Sequence, residues 1–415
     1  MNEYLPRAQN IMTRIEELAS VSEESGIIAR TFGTNAFLEG SRKVAGWMEK
    51  AGLQTRTDNM GNVRGRLRSS NPNVKTLVIA SHIDTVINAG RFDGPLGVLL
   101  GLDLLEQLMQ AKTPLPFHIE LIAFSDEEGV RFHTTYLGSK VVAGSFDHSL
   151  LEKKDATGTP LKDVITAIGG DAALLAQDRI LPGEWLGYFE VHIEQGPVLY
   201  EKHIPVAVVK GIAGQKRSEI IFKGTAGHAG TVPMDMRRDA LCCASEFILA
   251  VEQWALENKA QVVATVGKLH ISHAASNTIP GEVSCTLDLR SNDPTVLSTA
   301  YTALQNSCKA VSTRRGISFE WNLVQETTPV ACDAGLNDLL VQSIRQAGHE
   351  PVELVSGAGH DGVPISQVSP IAMLFVRCFE GISHHPQENV ELKDLAAAVE
   401  VSANFIHQLI KQHTR

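Results

Sequence analysis

Four stretches of this chain place imidazoles or carboxylates directly after apolar runs. Ser81-His82-Ile83-Asp84 follows TLVIA (76–80) and sets an imidazole two residues before a carboxylate. There Asp84 can accept the second ring N–H of His82 and fix its tautomer, as carboxylates behind metal-binding histidines commonly do. Nine residues further on, Asp93-Gly94-Pro95-Leu96-Gly97 puts an acid in a glycine-rich turn, where one carboxylate could bridge two cations. Ser125-Asp126-Glu127-Glu128-Gly129 places three acids side by side after HIELIAF (118–124). Adjacent carboxylates repel one another, so if they are partly buried they need a positive neighbour, and a metal ion is the economical one. His192-Ile193-Glu194-Gln195-Gly196 and Ile382-Ser383-His384-His385-Pro386 supply further imidazoles. Histidines and acids together suit Zn²⁺ or Mn²⁺. Taken singly, a strand-end histidine is more often structural and an acidic triplet is usually a solvated loop. Their ordered recurrence after successive apolar runs favours a metal site.

Such residues need a scaffold that gathers them. Ile11 to Leu18 and Ser41 to Ala51 have helical periodicity, whereas Thr76 to Ala80 is a short β-branched run that predicts a buried strand. A helix over Leu96 to Met109, a strand over His118 to Phe124 and another over Tyr188 to Ile193 continue the alternation. This rhythm predicts an α/β fold, a mostly parallel sheet flanked by helices. Open sheets of that kind bind ligands beyond the carboxyl ends of their strands, where these motifs stand. After Val209 to Gly214 the pattern changes: strands over Ser218–Phe222, Val262–Leu269, Val283–Leu289 and Ile317–Leu323 alternate with helices over Arg237–Glu257 and Val296–Val311. Ile371 to Val376 then reads as a buried strand and Asp394 to Ile410 as a closing helix. The expected organisation is a discontinuous catalytic domain, 1–212 with 330–415, interrupted by an inserted α+β lid or dimerisation domain, 213–329.

The 415 residues, 43% hydrophobic and 20% charged, have the balance of a globular protein of two domains. A formal net charge of −10 without basic clusters argues against nucleic acid as a partner. No run approaches the ~20 apolar residues of a bilayer span, and the N-terminus has no secretory pattern, so no membrane is expected. Six scattered cysteines predict reduced core thiols and a cytoplasmic location.

The motifs SHIDTV (81–86), DGPLG (93–97), SDEEGVRF (125–132), HIEQG (192–196), GHAGTVPM (227–234), SGAGHDG (356–362) and GISHHPQE (381–388) occur in the order of a known family. Through them the chain resembles the M20 metallopeptidases and amidohydrolases, within them the allantoate amidohydrolase, N-carbamoyl-L-amino-acid hydrolase and β-ureidopropionase branch. The resemblance implies two divalent ions, one on His82, Asp93 and His192 and the other on Asp93, Glu128 and His384, with Asp93 bridging. It also implies that Glu127, as the base, and Asp84 are catalytic, and that His228 stabilises the oxyanion across a homodimer. Gln195, Arg217, Asn277, Arg290, Gly359 and His360 would contact a small ureido-carboxylate substrate. A guanidinium suits the carboxylate because it can hold both oxygens.

Within the branch, FSDEEGVRFHTTYLG (124–138) and MLFVRC (373–378) look most like allantoate amidohydrolases. The expected reaction is then hydrolysis of the ureido group of allantoate to ureidoglycine, ammonia and carbon dioxide, a purine-nitrogen salvage step, with Mn²⁺ favoured over Zn²⁺. N-carbamoyl-L-amino acids and N-carbamoyl-β-alanine are the alternative substrates. Two other classes compete. Gly357-Ala358-Gly359-His360-Asp361-Gly362 formally matches a dinucleotide-binding loop, but it stands late in the chain and leaves the His and acid clusters unexplained. A non-catalytic metal-dependent binder would have no use for Glu127.

Overall fold

The computed structural model describes residues 3–414 and divides the chain into two compact units. One comprises the residues up to 210 and those from 332 onward, and the other is residues 211–331. Each has its own hydrophobic core.

The larger unit is built on a sheet whose centre is four parallel strands in the order His118–Phe124, Thr76–His82, Trp185–Ile193 and Ile371–Val376. All but one of the residues in these four strands are buried, as strands covered on both faces must be. Antiparallel strands lie at both edges: the hairpin Gln54–Thr57 and Val63–Leu67 beside His118–Phe124, and Val206–Ile212 beside Ile371–Val376. The parallel character read from the sequence thus belongs to the centre. The hairpin strands lack long apolar runs and their periodicity is faint, whereas Val206–Ile212 (VAVVKGI) carries one and was not among the strands expected from the sequence.

Helix Tyr4–Ala19 buries Ala8, Ile11, Ile15 and Leu18, one stripe at spacings of three and four. Helix Asn35–Lys50 is capped by Thr34, whose hydroxyl accepts the Phe37 N–H at 3.2 Å. Helix Pro95–Gln110 is buried around most of its circumference, and the Asp103 carboxylate within it is paired with Arg7. Helices Ala334–Gln346 and Leu392–His413 complete the flanks; the first was not among the helices expected from the sequence, although Leu336, Leu340 and Ile344 recur at spacings of four.

The smaller unit has a five-stranded antiparallel sheet that includes Gly214–Lys223, Glu282–Ser291 and Ser318–Thr327, with two long helices, Ala240–Glu257 and Pro294–Arg315. The first helix begins three residues later than its periodicity suggests, because the Asp239 carboxylate caps the N–H groups of Leu241 and Cys242. The strand expected over Val262–Leu269 is two short pieces, Val263–Thr265 and Leu269–Ile271. Both pair with Glu282–Ser291, and four steps of chain from Thr265 to Leu269 oppose three on the partner strand, a bulge that holds Gly267.

Candidate metal centre

Because the four central strands are parallel, the segments that leave Phe124, His82, Ile193 and Val376 all emerge at one edge of the sheet. His82 is the last residue of its strand and His192 the last but one of its own. The chain turns back into helix Pro95–Gln110 at Gly94, whose φ is +84°. A side chain there would be strained, and its Cβ would lie 2.6 Å from the His82 ring, so this position needs glycine.

Asp93 is the hub. Its Oδ1 lies 3.1 Å from His192 Nε2 and 3.8 Å from His82 Nε2, and its Oδ2 lies 2.9 Å from His384 Nε2. Glu128 Oε1 is 3.5 Å from the same His384 nitrogen. Two triads of ligand atoms result, His82/Asp93/His192 and Asp93/Glu128/His384, each gathered within 4.8 Å and sharing Asp93. Asp93 Oδ1 is buried and receives no hydrogen bond. A buried carboxylate oxygen left so, among imidazole nitrogens, fits a divalent cation. Burial separates the triads: the side chains of His82 and His192 are each 2% exposed and that of His384 is 48% exposed.

Asp84 lies elsewhere than expected. His82 Nδ1 is 3.0 Å from the backbone carbonyl of Asp84 and 3.7 Å from its carboxylate, so the carbonyl fixes the tautomer. The carboxylate instead accepts the backbone N–H groups of Glu127 and Glu128, each at 3.1 Å. It thereby holds the acidic turn, which Asp126 enters with a left-handed φ of +53°.

Burial and mutual repulsion dominate the electrostatics. Glu127, 7% exposed, is pushed well above the usual carboxylate range by burial and then by the charges of Glu128, Asp361, Asp84 and Asp93. Glu128 is raised to about 8 by burial and Asp93. Asp93 goes the other way: burial would raise it, but contacts with His192 and His384 hold it well below 3.8. Burial would lower His192, yet Asp93 raises it to about 9. Burial keeps His82 below its ordinary value, in the neutral form that ligates metals.

Gln195 joins the centre through its amide, which donates to Asp93 Oδ2 at 3.0 Å and lies 3.4 Å from His384 Nε2. His360 is 1% exposed, with its ring edge against His192 and Nε2 2.7 Å from Ser356 Oγ. Gly359 abuts the Tyr136 hydroxyl, so a side chain there would collide with it. The tandem histidines separate: His384 faces Asp93, whereas the exposed His385 accepts the Gln387 N–H through Nδ1 at 3.2 Å.

In the smaller unit, Gly227–His228 pairs with Thr278–Ile279, and the carbonyl of Asn277 accepts the Ala229 N–H at 2.8 Å, so Asn277 adjoins the His228 turn. Arg217 stands opposite Asp288 across two strands and donates to it at 2.8 Å. Arg290, two residues on and hence on the same face, donates to Asp288 through Nε and Nη2 at 2.8 and 2.9 Å. Neither Asp288 nor the buried Glu388 was singled out by sequence; for Asp288 the signal was there, an acid at i−2 from a candidate arginine within a strand.

The model for Peptidase family M20/M25/M40 matches residues 78–408. The chain belongs to this family. Among M20 relatives it is 39% identical to a probable allantoate deiminase of Oryza sativa subsp. japonica, over 95% of this chain and 87% of that one. It is 35% identical to an N-carbamoyl-L-amino acid amidohydrolase of Geobacillus stearothermophilus, over 97% and 98% respectively. A solved hydantoinase/carbamoylase family amidase from Burkholderia multivorans superposes with a TM-score of 0.90 at 30% identity, covering 97% of this chain and 98% of that one. The protein is accordingly an M20 hydrolase of C–N bonds.

Proposed function

We propose that this protein is a two-metal amidohydrolase that hydrolyses the ureido group of allantoate to ureidoglycine, ammonia and carbon dioxide. The observation that carries the reading is the pair of ligand triads sharing Asp93, with Glu127 beside them. His82, Asp93 and His192 would hold one cation and Asp93, Glu128 and His384 the other, with Mn²⁺ favoured over Zn²⁺. Such ions would acidify the attacking water and polarise the substrate carbonyl. Glu127 would take a proton from the attacking water and return it to the departing nitrogen, a role suited to a buried carboxyl held by Asp84. His360 and Gly359 shape the floor, and Gln195 orients the substrate.

Arg217 and Arg290 hold the substrate carboxylate, with Asn277, and His228 stabilises the oxyanion from a second copy of the chain. Exposed Leu249, Leu256 and Val263 in the smaller unit support self-association into a homodimer. No helix of the described residues is long and apolar enough to cross a membrane. The six cysteines are free, which supports a cytoplasmic setting.

The relatives named above support two substrates, allantoate and N-carbamoyl-L-amino acids; the higher identity to the rice protein favours allantoate. Ammonia release decides between them. The Mn²⁺-loaded protein should release ammonia from allantoate with a kcat/KM exceeding that on N-carbamoyl-L-amino acids and N-carbamoyl-β-alanine. A preference for a carbamoyl-amino acid would move the protein to the other arm of its branch, and no turnover of any with two metals bound would make it a binder.

A further inference from the structure

Glu388 contributes no ligand atom to either triad, yet its carboxylate ties together two of the three loops that carry the second triad. It is 1% exposed. Oε1 accepts the backbone N–H groups of Phe92 and Asp93 at 2.8 and 3.1 Å, across nearly 300 residues of sequence. Oε2 accepts the Ser383 hydroxyl at 3.0 Å, immediately before His384. Its own N–H donates to the His385 carbonyl at 3.0 Å and closes the turn that directly follows His384. No lysine or arginine among the described residues forms an ion pair with it, so hydrogen bonds alone hold this buried acid. Space is reserved for it: a Cβ on Gly90 would overlap the Glu388 carboxyl group.

We infer that Glu388 is a positioning residue that sets the second cation site, by fixing Asp93 and His384 in one register. The inference rests on the reading that Asp93, Glu128 and His384 hold that cation. The two sites differ in what else supports them. His82 and His192 sit in central strands of the sheet and keep their places without Glu388. His384 is half exposed, has a left-handed φ of +53° and belongs to no strand or helix, so its position is set by the contacts of its turn. Loss of the carboxylate therefore loosens two residues of the second triad, Asp93 and His384, and only Asp93 of the first.

Metal titration of the apoprotein with Mn²⁺, followed by calorimetry, tests this. Wild type should take up two equivalents. Glu388→Ala should retain one equivalent near wild-type affinity while the other weakens about 10- to 100-fold, the usual cost of losing such a support. Its kcat should recover in excess Mn²⁺. Glu388→Gln keeps an oxygen for the two N–H groups and an amide for Ser383, and should bind both ions nearly as wild type does. Gly90→Ala, which expels the carboxylate from the opposite side, should reproduce the Glu388→Ala pattern. Should Glu388→Ala fail to fold, Gly90→Ala carries the test. Two equivalents of unchanged affinity in these variants, or equal weakening of both, would overturn the inference. Wild type that binds a single ion would instead overturn the two-metal reading on which it rests.

Discussion

The carboxylate of Asp84 accepts the backbone N–H of Glu127 at 3.1 Å, so the residue whose carbonyl fixes the His82 ring also orients Glu127, the proposed general base. Its other oxygen takes the Glu128 N–H at the same distance, and the whole side chain is buried. One acid thus sets the direction of two others. Asp84→Asn keeps the volume but turns an N–H₂ toward one of the two backbone donors, which repels it. Such a buried charge-assisted bond is worth about 1.5–3 kcal/mol. A kcat reduced by about ten- to a hundredfold is expected, with KM changed much less, measured by steady-state ammonia release. An unaltered kcat would remove Asp84 from the catalytic apparatus.

Glu127→Gln should retain both metal equivalents and lose turnover by about 10²–10⁴-fold, the span of general acid–base catalysis. Metal analysis and single-turnover kinetics on the same preparation separate the two effects. A variant that keeps its rate shows that the proton goes elsewhere.

The tandem histidines make opposite predictions. His384→Ala should lose one of the two metal equivalents, because His384 Nε2 lies 2.9 Å from Asp93 and 3.5 Å from Glu128. His385→Ala removes only a surface imidazole that accepts the Gln387 N–H and should keep both ions. Elemental analysis after dialysis reads the result directly.

Metal binding should expel protons. In the metal-free protein Glu128 is raised to about 8, while His192 and His384 are each raised to about 9. The folded chain then binds more protons than the unfolded one from pH about 4.5 upward through Glu128, and from about 6.5 upward through the histidines. The contribution of these three groups to the stability of the metal-free protein therefore falls as pH rises from about 4.5 to 9. Cations compensate the carboxylates and require neutral imidazoles, so the loaded protein escapes this loss. Thermal melts should show a gap in Tm between loaded and metal-free protein that widens from pH 5 to pH 8. Calorimetry in buffers of different ionisation enthalpy should register proton release. A gap that narrows with pH would contradict the electrostatics of the site.

The fold and the centre were legible in the sequence to different depths. His82, Asp93, Glu128, His192 and His384, which the structure gathers around Asp93, could be picked out because buried parallel strands leave long apolar runs, and imidazoles and carboxylates after them stand out. Edge strands such as Val63–Leu67 mix arginine with small apolar residues and gave no such contrast. The Asp84 partner was misjudged because spacing cannot tell a carboxylate from the carbonyl of the same residue. Glu388 was invisible for another reason. Its partners are backbone N–H groups nearly 300 residues away, and a backbone has no letter in the sequence. Asp288 stood two residues from an arginine in a strand, where alternation alone puts both on one face.

Strand Ile371–Val376 lies between Trp185–Ile193 and Val206–Ile212, and it is made long after both. Until it arrives, the nascent sheet has an open slot with unpaired backbone on both sides, and the turn that bears His384 does not yet exist. Such distant pairings close late, since loop entropy opposes them until most of the chain is present. The metal centre is therefore among the last parts of the molecule to form during synthesis. A chain truncated before residue 371 would present two adhesive strand edges to its neighbours, which is the form of the protein most prone to aggregate.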